Sequence, residues 1–453
     1  MLRIKNGRVV DPASGIDAAV DIWIEGGRIA RVAEPGSSDH GGDGGDDRTD
    51  DRADNDGKHG GQKTARGDDR GEETLDATGL IVAPGFIDLH CHLREPGGES
   101  SETIESGTRA AARGGFTAVC PMPNTRPVND NASVTRAILE RAAAVASTHV
   151  WPIGAASIGS RGEGLAEIAA MQKAGIVAVS DDGKPIATAK LLRQVMEYCR
   201  ALDLAVIDHC EDASLFAGSV MREGRQSVRL GLPGMPAATE SIAVGRDVQI
   251  AELTGCRLHV AHLSTRTSLE LVRAAKQRGL RVTCEVTPHH FTLTDEDVLY
   301  DTHFKMNPPL GSTEDRTALI AGLADGTVDA IATDHAPHEP ASKQVEFDRA
   351  PFGVTGFETA LALTMELVHA GRLTLTRMVE LFTSGPARVL GRTRRIAAGE
   401  PADLTLFSTD HPWTFRAEDS ASKSRNTPFD NRKFRGAPIA TVVGGRVVYR
   451  REA

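Results

Sequence analysis

The sequence predicts an α/β protein: a (β/α)8 barrel of the TIM type, carrying a small β-sandwich domain formed by both termini. Three observations predict it. Eight short apolar runs alternate with helical stretches through the middle of the chain. Strand-like texture without helices is confined to the two ends. Histidine and aspartate collect where the apolar runs finish, which is where a barrel of this kind carries its chemistry.

The elements follow in order. LRIKNGRVV and AAVDIWIEGGRIARVA open the chain as short strands. Residues 36–73 contain no Val, Ile, Leu, Phe, Tyr or Trp. Such a stretch cannot bury enough surface to offset its ordering entropy, so it is expected to be a disordered Asp/Gly-rich insertion in a surface loop, with His40 and His59 as parts of a solvated linker. ETLDATGLIVAPG resumes the strand texture. The eight buried runs are GFIDLH (85–90), FTAVCPM (116–122), HVWPIGA (149–155), IVAVSDD (176–182), LAVIDHC (204–210), RLHVAHLS (257–264), RVTCEVTPHH (281–290) and VDAIATDHAPH (328–338). Stretches such as ETIESGTRAAARGG and AKLLRQVMEYCRAL lie between them with helical periodicity. A doubly wound open sheet is the alternative, but the first strand-to-helix turn has no GxGxxG. At the C-terminus, ADLTLFSTD (402–410) and IATVVGGRVVYR (439–450) return to strands, and Gly444-Gly445 between β-branched runs signals a hairpin. The expected boundaries are 1–83 for the first part of the β-domain, 84–392 for the barrel and 393–453 for the rest.

Composition narrows the function. The 453 residues are 40% hydrophobic and 25% charged, enough for a large core. No apolar run reaches about 18 residues, so no membrane span is expected. The N-terminus lacks the apolar region of a secretory signal. Six scattered cysteines form no CxxC pair, which fits a reducing cytoplasm. The formal charge is −10, and residues 36–73 supply −6 of it. With no basic stripe, nucleic acid is not an expected partner.

The candidate chemistry sits at the strand ends. His90 and His92 end the first run, Asp181 and Asp182 the fourth, His209 the fifth, His262 the sixth, and Asp334 and His335 the eighth. On a strand, residues i and i+2 share a face, so His90 and His92 can reach one ion. Four histidines and two aspartates exceed the needs of one tetrahedral zinc. The pattern therefore predicts two Zn²⁺: His90 and His92 on one, His209 and His262 on the other, with a carboxylate and a shared hydroxide between them. An aspartate on the eighth strand can move the proton. Asp88, on the face of His90, is read either as support for the site or as a core polar residue.

FIDLHCHLREPG (86–97) resembles the signature of the amidohydrolase superfamily, and within it the dihydroorotase family. MPNTRPV (122–128), SDDGKPI (180–186), DHCED (208–212), HLST (262–265), EVTPHH (285–290), NPPL (307–310), ATDHAPH (332–338) and PFGVTGFET (351–359) are similar to that family's blocks, in the same order. The likeness is greatest to the bacterial type I class. It implies that an aspartate bridges the metals, and places Asp182 there with Asp181 as its competitor. It further implies that Asp334 is both a metal ligand and the general acid/base. Arg94 should pair with the substrate α-carboxylate, since its planar fork matches a carboxylate. By the same resemblance His92, Asn124 and His338 assist, Asn307 meets the ring edge, and backbone groups of Phe352 and Gly353 hold the ring. The implied reaction is the zinc-dependent, reversible cyclisation of N-carbamoyl-L-aspartate to (S)-dihydroorotate in pyrimidine synthesis. Aspartate carbamoyltransferase and a second copy of the chain are the macromolecular partners it admits. The rival readings are a hydantoinase or allantoinase, which would carry a lysine at the fourth strand, and a non-catalytic partner of the transferase.

Overall fold

The computed structural model describes residues 1–35 and 73–452. The expected insertion lies outside the described residues, except that Glu73 already belongs to a strand. Strands β1 (Leu2–Asp11), β2 (Ile16–Glu25), β3 (Arg28–Ala33), β4 (Glu73–Asp76) and β5 (Ile81–Pro84) open the chain. The middle follows with β6 (Phe86–Cys91), β7 (Phe116–Pro121), β8 (His149–Val150), β9 (Gly154–Ala155), β10 (Ala178–Ser180), β11 (Ala205–Asp208), β12 (Met221–Arg222), β13 (Gly234–Met235), β14 (Arg257–Val260), β15 (Val282–Val286) and β16 (Ala330–Ile331). The chain returns through β17 (Leu404–Thr414), β18 (Lys433–Val443) and β19 (Arg446–Arg450).

The middle strands are parallel. They pair in the order β6-β7-β8 and β9-β10-β11-β14-β15-β16. The third apolar run supplies both β8 and β9, with Trp151–Ile153 crossing from one sheet to the other; Ile153 N donates to Pro121 O at 3.0 Å and Val177 N to Pro152 O at 3.0 Å. At the far ends, Cys91 and His335 form a parallel bridge and His92 N donates to His335 O at 2.8 Å. Asp88 strengthens this junction. It accepts from Thr333 N (2.8 Å) and Thr333 Oγ1 (2.6 Å), so of its two readings the structure favours the core polar one.

Helices separate most of these strands. The helix Ile104–Arg113 shows why they start and stop where they do. Thr103 Oγ1 accepts from Ser106 N and Ser106 Oγ accepts from Thr103 N, each at 3.1 Å, a reciprocal cap that satisfies two free amide donors. Its apolar face buries Ile104, Ala110, Ala111 and Ala112, and Gly114 ends it. Gly107 faces Leu93 so closely that an added Cβ would stand 2.5 Å from Leu93 Cδ2.

The terminal strands pair with one another. They form one connected eight-stranded sheet, β19-β18-β17-β5-β1-β2-β3, with β4 branching from β1. The cause is a partner change along β1. Its first half pairs with β4 and its second half with β5, and the break falls at Asn6, where φ is +63°. The sheet has its own core of Ile4, Ile22, Ile24, Val82, Leu404 and Val442. The β18–β19 hairpin turns at Gly444-Gly445, both with positive φ as such a turn requires.

Phe86, at the start of β6, joins sheet and parallel core. Its ring stacks on Phe382 at 4.9 Å and meets Phe407 of β17 at 6.0 Å. Such aromatic pairs contribute about 0.5–1.5 kcal/mol each beyond their buried area. Between Thr414 and Lys433 the chain leaves the sheet and runs toward the C-terminal ends of the parallel strands.

Candidate active site

His90 lies one residue before the end of β6, Asp182 follows β10, His209 follows β11, His262 follows β14 and Asp334 follows β16. All five are buried, as is His92. Each apolar stem anchors its strand, and the next residues present a polar side chain beyond it. Three of the site residues have positive φ without being glycine: Arg94 (+60°), His262 (+30°) and Asp334 (+45°). L-residues seldom adopt this region, and such strain concentrates at functional sites.

The Asp182 carboxylate lies between two imidazole pairs. Its Oδ1 is 3.1 Å from His90 Nε2, 3.8 Å from His209 Nδ1 and 3.8 Å from His262 Nε2. Its Oδ2 is 3.6 Å from His92 Nε2. Asp334 Oδ1 faces the first pair, 3.1 Å from His92 Nε2 and 3.6 Å from His90 Nε2. Asp181 points elsewhere. It accepts from Ala156 N (2.9 Å), Ser157 N (3.0 Å) and the Ser157 hydroxyl.

Three of the imidazoles are held from behind. His90 Nδ1 pairs with Glu285 Oε1 at 3.1 Å, His92 Nδ1 with Asn124 Oδ1 at 3.0 Å, and His209 Nε2 with Glu211 Oε2 at 2.9 Å. A partner on one ring nitrogen turns the other inward as a lone pair. The inward atoms are short of hydrogen-bond donors. His209 Nδ1 and His262 Nε2 face each other at 2.9 Å, and His90 Nε2 has no well-aligned partner. Two triads, His90/Asp182/His262 and His90/His92/Asp334, bring their ligand atoms within 4.8 Å of one another and could each hold a metal ion. Glu285 and Glu211 are not among the expected site residues. Both occur in motif blocks, but only the folded chain reveals what they grip.

The cluster opens into a cavity of about 230 Å³. Its walls include His92, Arg94, Asn124, Asn307, His338, Phe352 and Gly353, so the structure gathers every expected substrate-facing residue around one space. Arg94 Nε donates to Pro337 O at 3.2 Å, and its terminal amino groups have no protein partner among the described residues. Asn307 Nδ2 donates to Glu211 Oε2 at 2.8 Å, while its Oδ1 is buried without a partner. Burial and the neighbouring Arg94 charge push the His338 imidazole down to about 3, so it is neutral, and its Nε2 donates to Phe352 O at 2.7 Å. Gly353 has one backbone group fewer to offer. Its N–H is committed to Lys305 O at 2.9 Å, which leaves only its carbonyl, already accepting from Asn426, to face a ligand. Phe216, which sequence reasoning passes over, also lines the cavity, its ring 6.2 Å from Phe352.

Imidazoles and carboxylates converging at the ends of parallel strands, over a small polar cavity, define an amidohydrolase. The similarities agree. A family model described as "Dihydro-orotase-like" matches residues 79–268, and one described as "Amidohydrolase family" matches 243–449. The dihydroorotase of Solibacter usitatus is 51% identical over 99% of this chain and 98% of its own. That of Desulforapulum autotrophicum is 47% identical over the full length of both. The chain belongs to the dihydroorotase family. Among solved structures it is similar to the L-hydantoinase of Arthrobacter aurescens, with a TM-score of 0.83 at 24% identity over 100% of this chain and 96% of that one. The D-hydantoinase of a Thermus species gives 0.78 at 24% identity over 99% and 95%. These two likenesses concern the fold.

Proposed function

We propose that this enzyme catalyses the reversible, zinc-dependent cyclisation of N-carbamoyl-L-aspartate to (S)-dihydroorotate. The carrying observation is Asp182, set between the imidazole pairs His90/His92 and His209/His262. On this reading the parallel strands are a closed (β/α)8 barrel, and the terminal sheet is a second domain built from residues 1–83 and 393–453.

The donor set suits two zinc ions. His90, His92 and Asp334 would hold one, His209 and His262 the other, and Asp182 would lie between them. Zinc, when bound, supplies Lewis acidity and lowers the pKa of water. The chain's own groups do the rest. Arg94 receives the substrate α-carboxylate with its free amino groups, and Asn307, on the same cavity wall, meets the ring or amide edge. In ring opening, Asp334 takes a proton from the attacking water and returns it to the departing amide nitrogen. In ring closure the same proton moves back.

A hydantoinase would carry a lysine at the fourth strand, which here ends in Asp181 and Asp182. Lys184 is exposed, in a turn closed by its N–H to Asp181 O at 2.9 Å. The test is turnover of L-dihydroorotate by the zinc-loaded protein and after chelation, beside hydantoin and allantoin. Zinc-dependent turnover of dihydroorotate alone is expected. Preference for hydantoin would overturn the substrate assignment. Inactivity of the loaded protein would leave the partner-subunit reading, tested by adding aspartate carbamoyltransferase.

A further inference from the structure

The segment between β17 and β18 belongs by sequence to the terminal sheet, yet it runs to the active site. Asn426 lies within it and is buried. Its Oδ1 accepts from His338 N at 3.0 Å. Its Nδ2 donates to Ala336 O at 2.9 Å and to Gly353 O at 3.0 Å. Its own carbonyl accepts from Thr355 N at 2.8 Å. One amide therefore joins the loop after Asp334 to the loop carrying Phe352 and Gly353.

The same segment holds that first loop a second time. The Ser422 hydroxyl and Lys423 N (3.1 Å) both donate to Glu102, whose other contacts include His335 Nε2 at 3.2 Å. His335 Nδ1 in turn accepts from Gly356 N at 3.2 Å, and its ring stacks on Phe357 at 4.1 Å. Asp334 sits immediately before these anchors with φ +45°. A strained backbone persists only where its surroundings over-determine it. The segment supplies that restraint from one side.

We propose that Asn426 is a positioning residue for substrate binding: it sets His338 and Gly353 against the ligand without touching the metal-binding cluster. A side-chain amide suits the task, because it offers one acceptor and two donors to three backbone groups of opposite kind. Aspartate, of the same size, would keep the bond from His338 N but turn an oxygen toward the carbonyls of Ala336 and Gly353. Misplacing these loops loosens the bound geometry, which costs affinity and orientation while the ligands of the metals stay in place.

The inference rests on the proposed dihydroorotase reading, and the test separates the two. KM and kcat for dihydroorotate, bound zinc and amide hydrogen exchange are measured on the full chain and on Asn426→Ala and Asn426→Asp. A rise in KM of about tenfold or more is expected in both variants, with kcat changed by less than about threefold. Zinc content should hold, and exchange across residues 334–356 should accelerate. Unchanged KM and unchanged exchange would overturn the proposal, as would loss of zinc with a normal KM. If neither variant folds, the unaltered chain still decides: slow exchange at the His338 and Thr355 amides is required, and fast exchange there overturns it. Failure of the unaltered chain to turn over dihydroorotate would sink the substrate reading, and the exchange data would still report on Asn426.

Discussion

Glu285 and His90 form a buried pair, Oε1 to Nδ1 at 3.1 Å, that aims the other nitrogen of His90 at Asp182. The second oxygen of Glu285 meets His259 Nε2 at 3.1 Å, and His259 is fixed by Thr283 at 2.8 Å. Burial alone would raise the Glu285 carboxyl, but the bonds from His259 and His90 hold it at about 2, so it is a carboxylate throughout the working pH range. Such a carboxylate fixes the tautomer of a ligand histidine and raises its basicity. Glu285→Gln is expected to weaken zinc binding by about 10–100-fold, read by competition with a chelator. A metal affinity equal to that of the unaltered protein would show that the pair does not serve the metal.

Arg94 faces the cavity with no carboxylate partner among the described residues. An unpaired guanidinium on the wall of a small cavity calls for an anion. Arg94→Ala should remove about 2–4 kcal/mol of substrate binding, a rise of roughly 30–1,000-fold in KM. Arg94→Lys should recover only part of it, because an ammonium cannot form the bidentate pair. Zinc content should stay constant. Full recovery by lysine would mean that only the charge matters.

Asp334 meets both imidazoles of the first pair and opens onto the same cavity. Removing its capacity to take a proton should cost about 10²–10⁴ in kcat. Asp334→Asn keeps the shape and an oxygen that can still face an ion. Measured at saturating zinc, a kcat within tenfold of the unaltered enzyme would move the proton-transfer role to another residue.

Much of this site is legible along the chain, and the reason is local. Each candidate ligand follows on a buried apolar run, so His90, Asp182, His209, His262 and Asp334 stand out by position. What holds them is not local. Glu285 grips His90 from 195 residues away, and Asn426 reaches His338 across 88. No periodicity encodes such a pair, since each partner fits an ordinary polar position in its own segment. The terminal sheet is similar. Its strands can be recognised one at a time, but the switch of β1 from β4 to β5 that makes one sheet depends on pairing, which residue patterns leave open. Asp181 and Asp182 are indistinguishable by type; only the amides of Ala156 and Ser157 separate them.

Asp403 links the sheet to the parallel core and predicts a pH effect on stability. Its carboxylate takes Arg394 Nη1 at 2.5 Å, His149 Nε2 at 3.0 Å and Gly444 N at 2.8 Å. Burial raises its pKa, and the bond from His149 with the Arg394 charge outweighs this, leaving it at about 2 against an ordinary 3.8. A depressed carboxylate stabilises the fold above its unfolded pKa, and the contribution fades as pH falls through the folded value. The difference corresponds to about 2 kcal/mol, present at neutral pH and lost between about pH 4 and pH 2. In urea unfolding, Asp403→Asn should lie furthest below the unaltered protein at pH 7, and the gap should narrow below pH 4. A gap that widens on acidification would contradict the assignment.

The stretch between β3 and β4 gives a further prediction, argued from its flanks. β3 is the edge of the terminal sheet, and β4 pairs with β1 through Leu2 to Lys5. Glu73 N donates to Met1 O at 3.1 Å, so a deletion should stop at 72 to keep this bond. None of the residues lining the active-site cavity comes from β1 to β5. Replacing 36–72 by a short turn should therefore leave kcat/KM within tenfold. It should also shift the formal charge toward neutrality, since the negative excess of 36–73 leaves with all but Glu73. A larger loss in kcat/KM, with the sheet still folded by circular dichroism, would mean that these residues act on the cavity rather than joining two strands.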